Sequence, residues 1–241
     1  MVQEMIGIIS STIYPPALPT YDGQRSCIPP ALRLEQTRKT IESLSQQGIS
    51  EIYLADNSGE LWEESASQFL KPAKVAIFKQ HQYRNKGISE LYLLLNMLEQ
   101  IPVSLPILKI SGRYSLSKNL SHELGDADLA VKIYRHRFSK HAMSTRCYLV
   151  KNKEVYATFL KRTLQQVYAY PSRIVGPRSL VRIVRNSFFP GKDNYPYDDP
   201  SISIEGAAAS VLKIYNYKFN NIEDLGVEGQ YGSFKDYSIK E

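Results

Sequence analysis

Two cysteines in 241 residues, Cys27 and Cys147, leave this chain with neither a disulfide framework nor the paired spacing of a zinc site. They read as thiols of a reducing compartment, so a cytoplasmic location is the expectation. Apolar runs are strand-sized, and none has the length of a bilayer span. Residues 1–10, MVQEMIGIIS, lack the basic start of a secretory signal and read as the entry to a first strand. Glycine is missing from residues 10–19, and neither G-x-G-x-x-G nor a P-loop occurs, which removes the usual dinucleotide and ATP fingerprints. Without G-x-S-x-G there is no nucleophile elbow for a Ser-His-Asp hydrolase. His81, His122, His136 and His141 show no metal-ligand spacing. Repeats and low-complexity tracts are absent as well.

What is present is a composition 43% apolar, enough for one substantial core. The net charge of +6 favours anionic ligands. Much of the excess lies in Lys132, Arg135, Arg137, Lys140 and Arg146, and in Arg173, Arg178, Arg182 and Arg185. No zinc finger, RNP-like signature or other nucleic-acid module accompanies it, so no nucleic-acid partner is expected. Nucleotide diphosphates and acidic membrane surfaces both suit such charge.

Hydrophobic spacing predicts alternating strands and helices along the first half. Strands are expected at 5–10, 51–55, 75–78, 105–110 and 127–134. Helices are expected at 33–47, with Leu34, Thr37, Ile41 and Leu44 inward, and from Asn85 onward, with Ile88, Leu91, Leu95 and Leu98 inward. That alternation implies an α/β fold with a mostly parallel sheet flanked by helices. A strand at 146–151 and helices at 154–170 and 201–219 follow. The intervening 171–200 is proline-rich and aromatic, which marks a functional loop or arm within a C-terminal elaboration. Its aromatic residues include Phe188, Phe189, Tyr195 and Tyr197, with Tyr168 and Tyr170 just before it.

Open sheets of this class bind ligands beyond the carboxyl ends of their strands, so candidate residues are those at strand ends. Ser10 and Thr12 follow the first strand, and Arg25 and Arg33 could reach a phosphate beside them. Asp56-Asn57-Ser58 closes the second strand, where Asp56 either accepts from a ribose or base, or forms an Asx-turn. Arg84-Asn85-Lys86-Gly87 opens a helix, as an anion site at unpaired N–H groups or as an Asn85 cap. Lys109-Ile110-Ser111-Gly112-Arg113-Tyr114 ends an apolar strand in a cationic, hydroxylated turn. A lysine inside such a strand must face either a ligand or a carboxylate, and Arg113 offers a planar fork for phosphate oxygens.

These pieces in order carry a resemblance: R-x-x-Q-T-x-x-T-I-x-S-L from Arg33, I-Y-L-x-D-N-S ending in Asp56, Asn57 and Ser58, N-K-G-I-S-E-L from Asn85 through Glu90, and L-K-I-S-G-R-Y from Lys109 to Tyr114. The chain resembles GT-A-type nucleotide-sugar glycosyltransferases of bacterial surface-polysaccharide synthesis and large viruses, over residues 5–116 and in outline beyond. The resemblance implies a GT-A-like, Rossmann-like sheet. It also implies a nucleotide-sugar donor, and a glycan or lipid-linked acceptor in surface polysaccharide biosynthesis. Residues 1–145 would form the nucleotide-sugar-binding half, and 146–241 the acceptor side and arm of the same domain. Ser10, Thr12, Arg33, Asp56, Asn57, Lys86, Gly87, Ser111, Gly112 and Tyr114 would surround the donor.

One departure matters. GT-A enzymes commonly hold a divalent metal on an Asp-x-Asp where this chain has Lys109-Ile110-Ser111. Either Lys109 and Arg113 neutralise the diphosphate and no metal is needed, the preferred reading, or Asp126 and Asp128 bind Mn²⁺ or Mg²⁺. A base for the acceptor hydroxyl comes from Asp198, Asp199, Glu205 or Glu228, with Glu205 best placed at a helix start. Peripheral membrane contact is compatible with the charge. The rivals are a non-catalytic basic protein binding anionic polysaccharide or nucleic acid, and a sugar nucleotidyltransferase. The glycine-free loop after the first strand disfavours the second.

Overall fold

The computed structural model describes residues 4–15, 28–81, 83, 85–102, 105–135, 141–169, 177, 180–181, 184, 203–230 and 238–241. At its centre is a seven-stranded mixed sheet. Strands β1 (Ile6–Ser11), β2 (Glu51–Asp56), β3 (Lys74–Ile77) and β4 (Ile107–Ser111) run parallel, with β1 between β2 and β4. Strands β5 (Tyr114–Leu116), β7 (Ile133–Tyr134) and β8 (Ala142–Met143) lie outside this sheet, whereas β6 (Leu129–Val131) and β9 (Cys147–Val150) extend it. β9 inserts antiparallel between β4 and β6, and β10 (Phe219–Asn221) pairs parallel to β6 at the far edge. A second sheet joins β5 to β11 (Val227–Gln230) and β12 (Ser238–Lys240), and β7 pairs with β8. Because β9 sits inside the main sheet, residues on both sides of position 145 share one core.

Alternation along the strands divides that core into two layers. Ile6, Ile8 and Ile107 face helices α3 (Lys86–Glu99) and α4 (Lys153–Ala169), together with the C-terminal helix Ile204–Ile214, here α5. Ile9, Leu108 and Ile110 face the layer of α1 (Pro30–Gln46), which also covers β5. The short helix α2 (Glu64–Phe69) precedes β3. By the same alternation Lys109 shares a face with Ile107, toward α3.

The expected helices and strands of the first half are present, with differences in detail. The inward stripe of α3 is Ile88, Leu91, Leu94 and Leu98, joined by Leu93 and Met97, while Leu95 is only partly buried. Leu34 and Val155 likewise sit at the margins of their helices' buried faces. The single strand expected at 127–134 is two, because the chain leaves the main sheet at Lys132 to pair β7 with β8. The helix expected at 201–219 ends at Ile214. Asn216 takes a positive φ of 51°, and the chain turns into edge strand β10. Among the described residues no helix is long and apolar enough to cross a membrane.

Candidate functional site

Strands β1, β2 and β4 all end at one edge of the sheet, and β9 begins there. Helices α1 and α3 start from it, and the start of α5 packs against that of α3. Gly87 allows the close approach: a Cβ there would fall 2.4 Å from Cγ2 of Ile204. Sequence-predicted residues from five separate segments thus converge at one edge.

Lys109 lies at the centre and is wholly buried. Its Nζ donates to Glu90 Oε1 at 2.6 Å, to Ser111 Oγ at 3.1 Å and to the carbonyl of Thr145. An ammonium has three N–H bonds and all three are committed, with the Tyr148 ring 5.6 Å away. Of the two arrangements this lysine allowed, the structure takes the ion pair with a carboxylate, and no N–H remains for a diphosphate. Ser10 Oγ donates to the same Oε1 of Glu90 at 2.7 Å. Burial works to raise the Glu90 pKa, but the charge and hydrogen bond of Lys109 outweigh it, with help from Ser10 and Arg113. The carboxyl is held below its ordinary 4.5. Its Oε2 has no hydrogen-bond partner among the described residues, and the side chain is 24% exposed.

Arg113 contrasts with Lys109. It follows the Ser111-Gly112 turn, is partly exposed, and lies against the Tyr114 ring, with its Cζ 5.8 Å from the centroid. Its guanidinium has no hydrogen bond or salt bridge among the described residues. The turn is fixed by its backbone: Ser111 N–H donates to the Arg146 carbonyl and Gly112 N–H to that of Ser10, each at 2.9 Å. Thr37 Oγ1 donates to the Gly112 carbonyl, and a Cβ at Gly112 would lie 3.0 Å from that hydroxyl and 3.2 Å from Ile9. Tyr114 is buried in the α1 layer, its phenol beside Arg146, so it supports the turn from beneath.

Other predicted residues hold the loops together. Asp56 is fully buried: Oδ2 accepts from Ile13 N–H at 2.9 Å and Oδ1 from Ser58 N–H at 2.8 Å and from the Ser58 hydroxyl. Burial raises its pKa against those hydrogen bonds. The Asx-turn is therefore the arrangement found, and it ties the loop after β1 to the loop after β2. Tyr14 N–H adds a bond to Ser58 Oγ at 2.9 Å, and Asn57 N–H one to the Ser11 carbonyl at 3.1 Å. Arg33 reaches the carbonyls of Thr12 and Ile28, bracing the same loop. Asn85 caps α3 through Gly87 N–H at 3.0 Å, and Lys86 is exposed. Glu205 is partly exposed in the first turn of α5 and accepts from the Ser203 hydroxyl.

Asp126 and Asp128 are elsewhere. Register places Leu129 opposite Val150 and Val150 opposite Ile107, so both aspartates precede β6 at the level where β4 begins. This is the opposite end of the sheet from Ser111. Asp128 Oδ2 accepts from Lys218 N–H at 3.2 Å. The Ser111-Gly112 turn has no carboxylate of its own. Among the described residues no group of three or more His, Cys, Asp or Glu is arranged to hold a metal ion. Beside this turn the Glu90 carboxylate is already paired with Lys109. Cys147 is buried, and burial pushes its thiol up to about 12, so it is no nucleophile. Glu228, on β11, is exposed. Arg25, Cys27, Arg84, His136, Arg137, Lys140, Tyr170, Arg173, Arg178, Arg182, Arg185, Phe188, Phe189, Tyr195, Tyr197, Asp198 and Asp199 lie outside the described residues.

Glu90 is the site residue that sequence reasoning passed over, although it stands inside the motif from Asn85. A signal existed: it falls four residues before Leu94 and three after Gly87, on the inward face, opposite a strand that carries an equally misplaced lysine.

No family model matches this chain, and no curated protein matches it in sequence. Solved structures do. The 4-diphosphocytidyl-2C-methyl-D-erythritol synthase of Anaerococcus prevotii is similar over 98% of this chain and 93% of its own, with a TM-score of 0.50 and 8% identity. The galactosyltransferase LgtC, in complex with donor and acceptor sugar analogues, gives a TM-score of 0.48 and 11% identity over 95% of this chain and 87% of its own. A glucose-1-phosphate thymidylyltransferase from Bacillus anthracis gives 0.45 and 10% over 94% and 89%. At 8% identity the first likeness shows the fold alone: a mostly parallel α/β sheet flanked by helices, arranged as in that synthase.

Proposed function

We propose that this protein is a glycosyltransferase that moves a sugar from a nucleotide-diphosphate donor to a hydroxyl of a glycan or lipid-linked acceptor. The observation that carries the reading is Arg113: a partly exposed guanidinium without a hydrogen-bond partner among the described residues, held at the carboxyl edge of a parallel sheet. Five N–H donors in a planar fork match the oxygens of a diphosphate. In an inverting transfer, Glu205 takes the proton of the acceptor hydroxyl and that oxygen attacks the anomeric carbon. The bond to the diphosphate then breaks, and its electron pair leaves with the nucleotide. Arg113 stabilises the charge that develops on the departing oxygens. Lys109 contributes as a positioning residue, by fixing Glu90 and Ser111. Surface-polysaccharide synthesis, and membrane contact through the basic segments, belong to this proposal.

The test is thermal stabilisation of the full chain by UDP, GDP, CMP and dTDP, each with Mn²⁺ and with EDTA, for the wild type and Arg113→Ala. Stabilisation in EDTA that disappears in the variant, with its unliganded melting temperature unchanged, is the expected result. Absence of any nucleotide response would instead favour a non-catalytic binding protein. A sugar nucleotidyltransferase is separated by product: it would release pyrophosphate from a nucleoside triphosphate and a sugar 1-phosphate.

A further inference from the structure

We infer that Glu90 selects the sugar: its Oε2 accepts a hydrogen bond from a ring hydroxyl of the donor's glycosyl group. The inference deepens the transferase reading and rests on it. The structure holds this carboxylate asymmetrically. Oε1 takes both Ser10 Oγ at 2.7 Å and Lys109 Nζ at 2.6 Å, whereas Oε2 has no partner among the described residues on a side chain 24% exposed. Oε1 is thus engaged by the protein from two sides, whereas Oε2 is reachable from outside rather than sealed in the core. Here one oxygen is anchored from two directions and the other is left at the edge where β1 and β4 end.

The chemistry of the absent partner follows from charge. Glu90 is ionised, since Lys109 holds its pKa down despite burial. An ionised carboxylate accepts and does not donate, so a phosphate oxygen is refused and a hydroxyl is taken. A carboxylate with a lowered pKa is also a weak general base, which leaves proton abstraction to another group. Glu90 and Ile204 line one cavity with Lys109 and Thr145, and Glu205 is the next residue. Arg113 is near enough to help hold the Glu90 carboxyl down, so the carboxylate has the proposed diphosphate ligand on one side and the start of α5 on another. Lys109 cancels its charge and lets an anion sit so near an anionic donor.

The experiment compares binding of UDP, GDP and dTDP with binding of UDP-glucose, UDP-galactose, GDP-mannose and dTDP-glucose, by titration calorimetry on the full chain. Glu90→Gln is expected to bind the free diphosphate within about twofold of wild type. The matching sugar nucleotide should bind about ten- to a hundredfold more weakly, as for a lost charge-assisted hydrogen bond. Analogues of that sugar lacking one hydroxyl at a time should reveal one position whose removal weakens wild type by the same factor and leaves Glu90→Gln unchanged. A purely structural role cannot give that coupling. Should Glu90→Gln not fold, Glu90→Asp keeps the charge beside Lys109 but withdraws the open oxygen, and the same split is expected. Equal losses for diphosphate and sugar nucleotide, or none for either, would overturn the inference while leaving the transferase reading standing. A wild type that binds neither kind of ligand overturns both.

Discussion

The two ends of the central sheet carry similar charged residues in opposite circumstances. At the end where β1, β2 and β4 finish, Lys109, Glu90 and Arg113 converge, and within that cluster one cation is consumed and the other left open. Lys109 has every N–H committed, whereas Arg113, four residues on, has none committed among the described residues. At the other end Asp126 and Asp128 look like a metal motif in sequence, yet Asp128 serves the backbone of Lys218. Residue type proposes a chemistry, but strand direction decides which edge receives it. On the favoured edge, alternation then decides which side chain turns inward. Lys109 points into the α3 layer because it shares the parity of Ile107. Arg113, beyond the turn, escapes that constraint.

The largest effect expected from breaking this contrast is at Lys109. Lys109→Met leaves Glu90 facing a largely apolar layer without its partner. Loss of a buried pair costs about 3 kcal/mol, or roughly 6–12 °C in melting temperature at this chain length. The double change Lys109→Met/Glu90→Leu should recover much of that, since an apolar pair can replace a buried ionic one. Were Lys109→Met as stable as wild type but unable to bind nucleotide, the lysine would be a ligand contact after all. A smaller loss, about 1–3 kcal/mol, is expected for Gly87→Ala, whose new methyl must displace Ile204. Denaturant titration should show Ile204→Ala relieving it.

The ion pair also predicts a pH dependence with a definite sign. The folded-state pKa of Glu90 lies below the unfolded value of 4.5, so its contribution is complete above that pH and lost as pH falls through the folded value. The stability difference between wild type and Glu90→Gln should therefore shrink on acidification below about pH 4.5 and stay constant above it. Asp56 has the opposite sign. Its raised pKa means folding favours the protonated form, so its ionisation opposes stability as pH rises through the folded value.

Much of the sheet was legible because its signals are local. Short apolar runs between helical stripes mark β1 to β4, and Asn85 and Gly48 mark helix ends, whereas α1 begins at Pro30, three residues ahead of the expected 33. The antiparallel insertion of β9 was not legible, since strand direction within a sheet depends on partners far away in sequence. Nor was the departure of β7, two residues long and continuous with β6 in its apolar pattern. For the site, strand ends pointed to the edge where the candidate residues converge, but sequence could not tell a charge open to a ligand from one that meets another charge. Lys109, Asp56 and Arg33 all have partners inside the protein, and each has at least one in a distant segment: Glu90, Ile13 and Thr12. Glu90 escaped notice for the same reason: its meaning comes from Lys109, which only the packing of α3 on β4 brings within 2.6 Å.

The smallest expected effect sharpens the comparison most, because it isolates position from residue type. Asp126 is exposed and the Asp128 carboxylate accepts one 3.2 Å bond from a backbone N–H. Asp126→Ala should change stability by no more than about 0.5 kcal/mol, and Asp128→Ala by about 1 kcal/mol. Neither should alter nucleotide-induced stabilisation, with Mn²⁺ or with EDTA, since both side chains lie a full strand length from the Ser111 turn. A Mn²⁺-dependent response that vanished in Asp126→Ala would place the phosphate site at the amino edge of the sheet. Arg113 would then lose its role, and with it the argument that strand direction, not the presence of an acidic pair, determines where this protein binds its ligand.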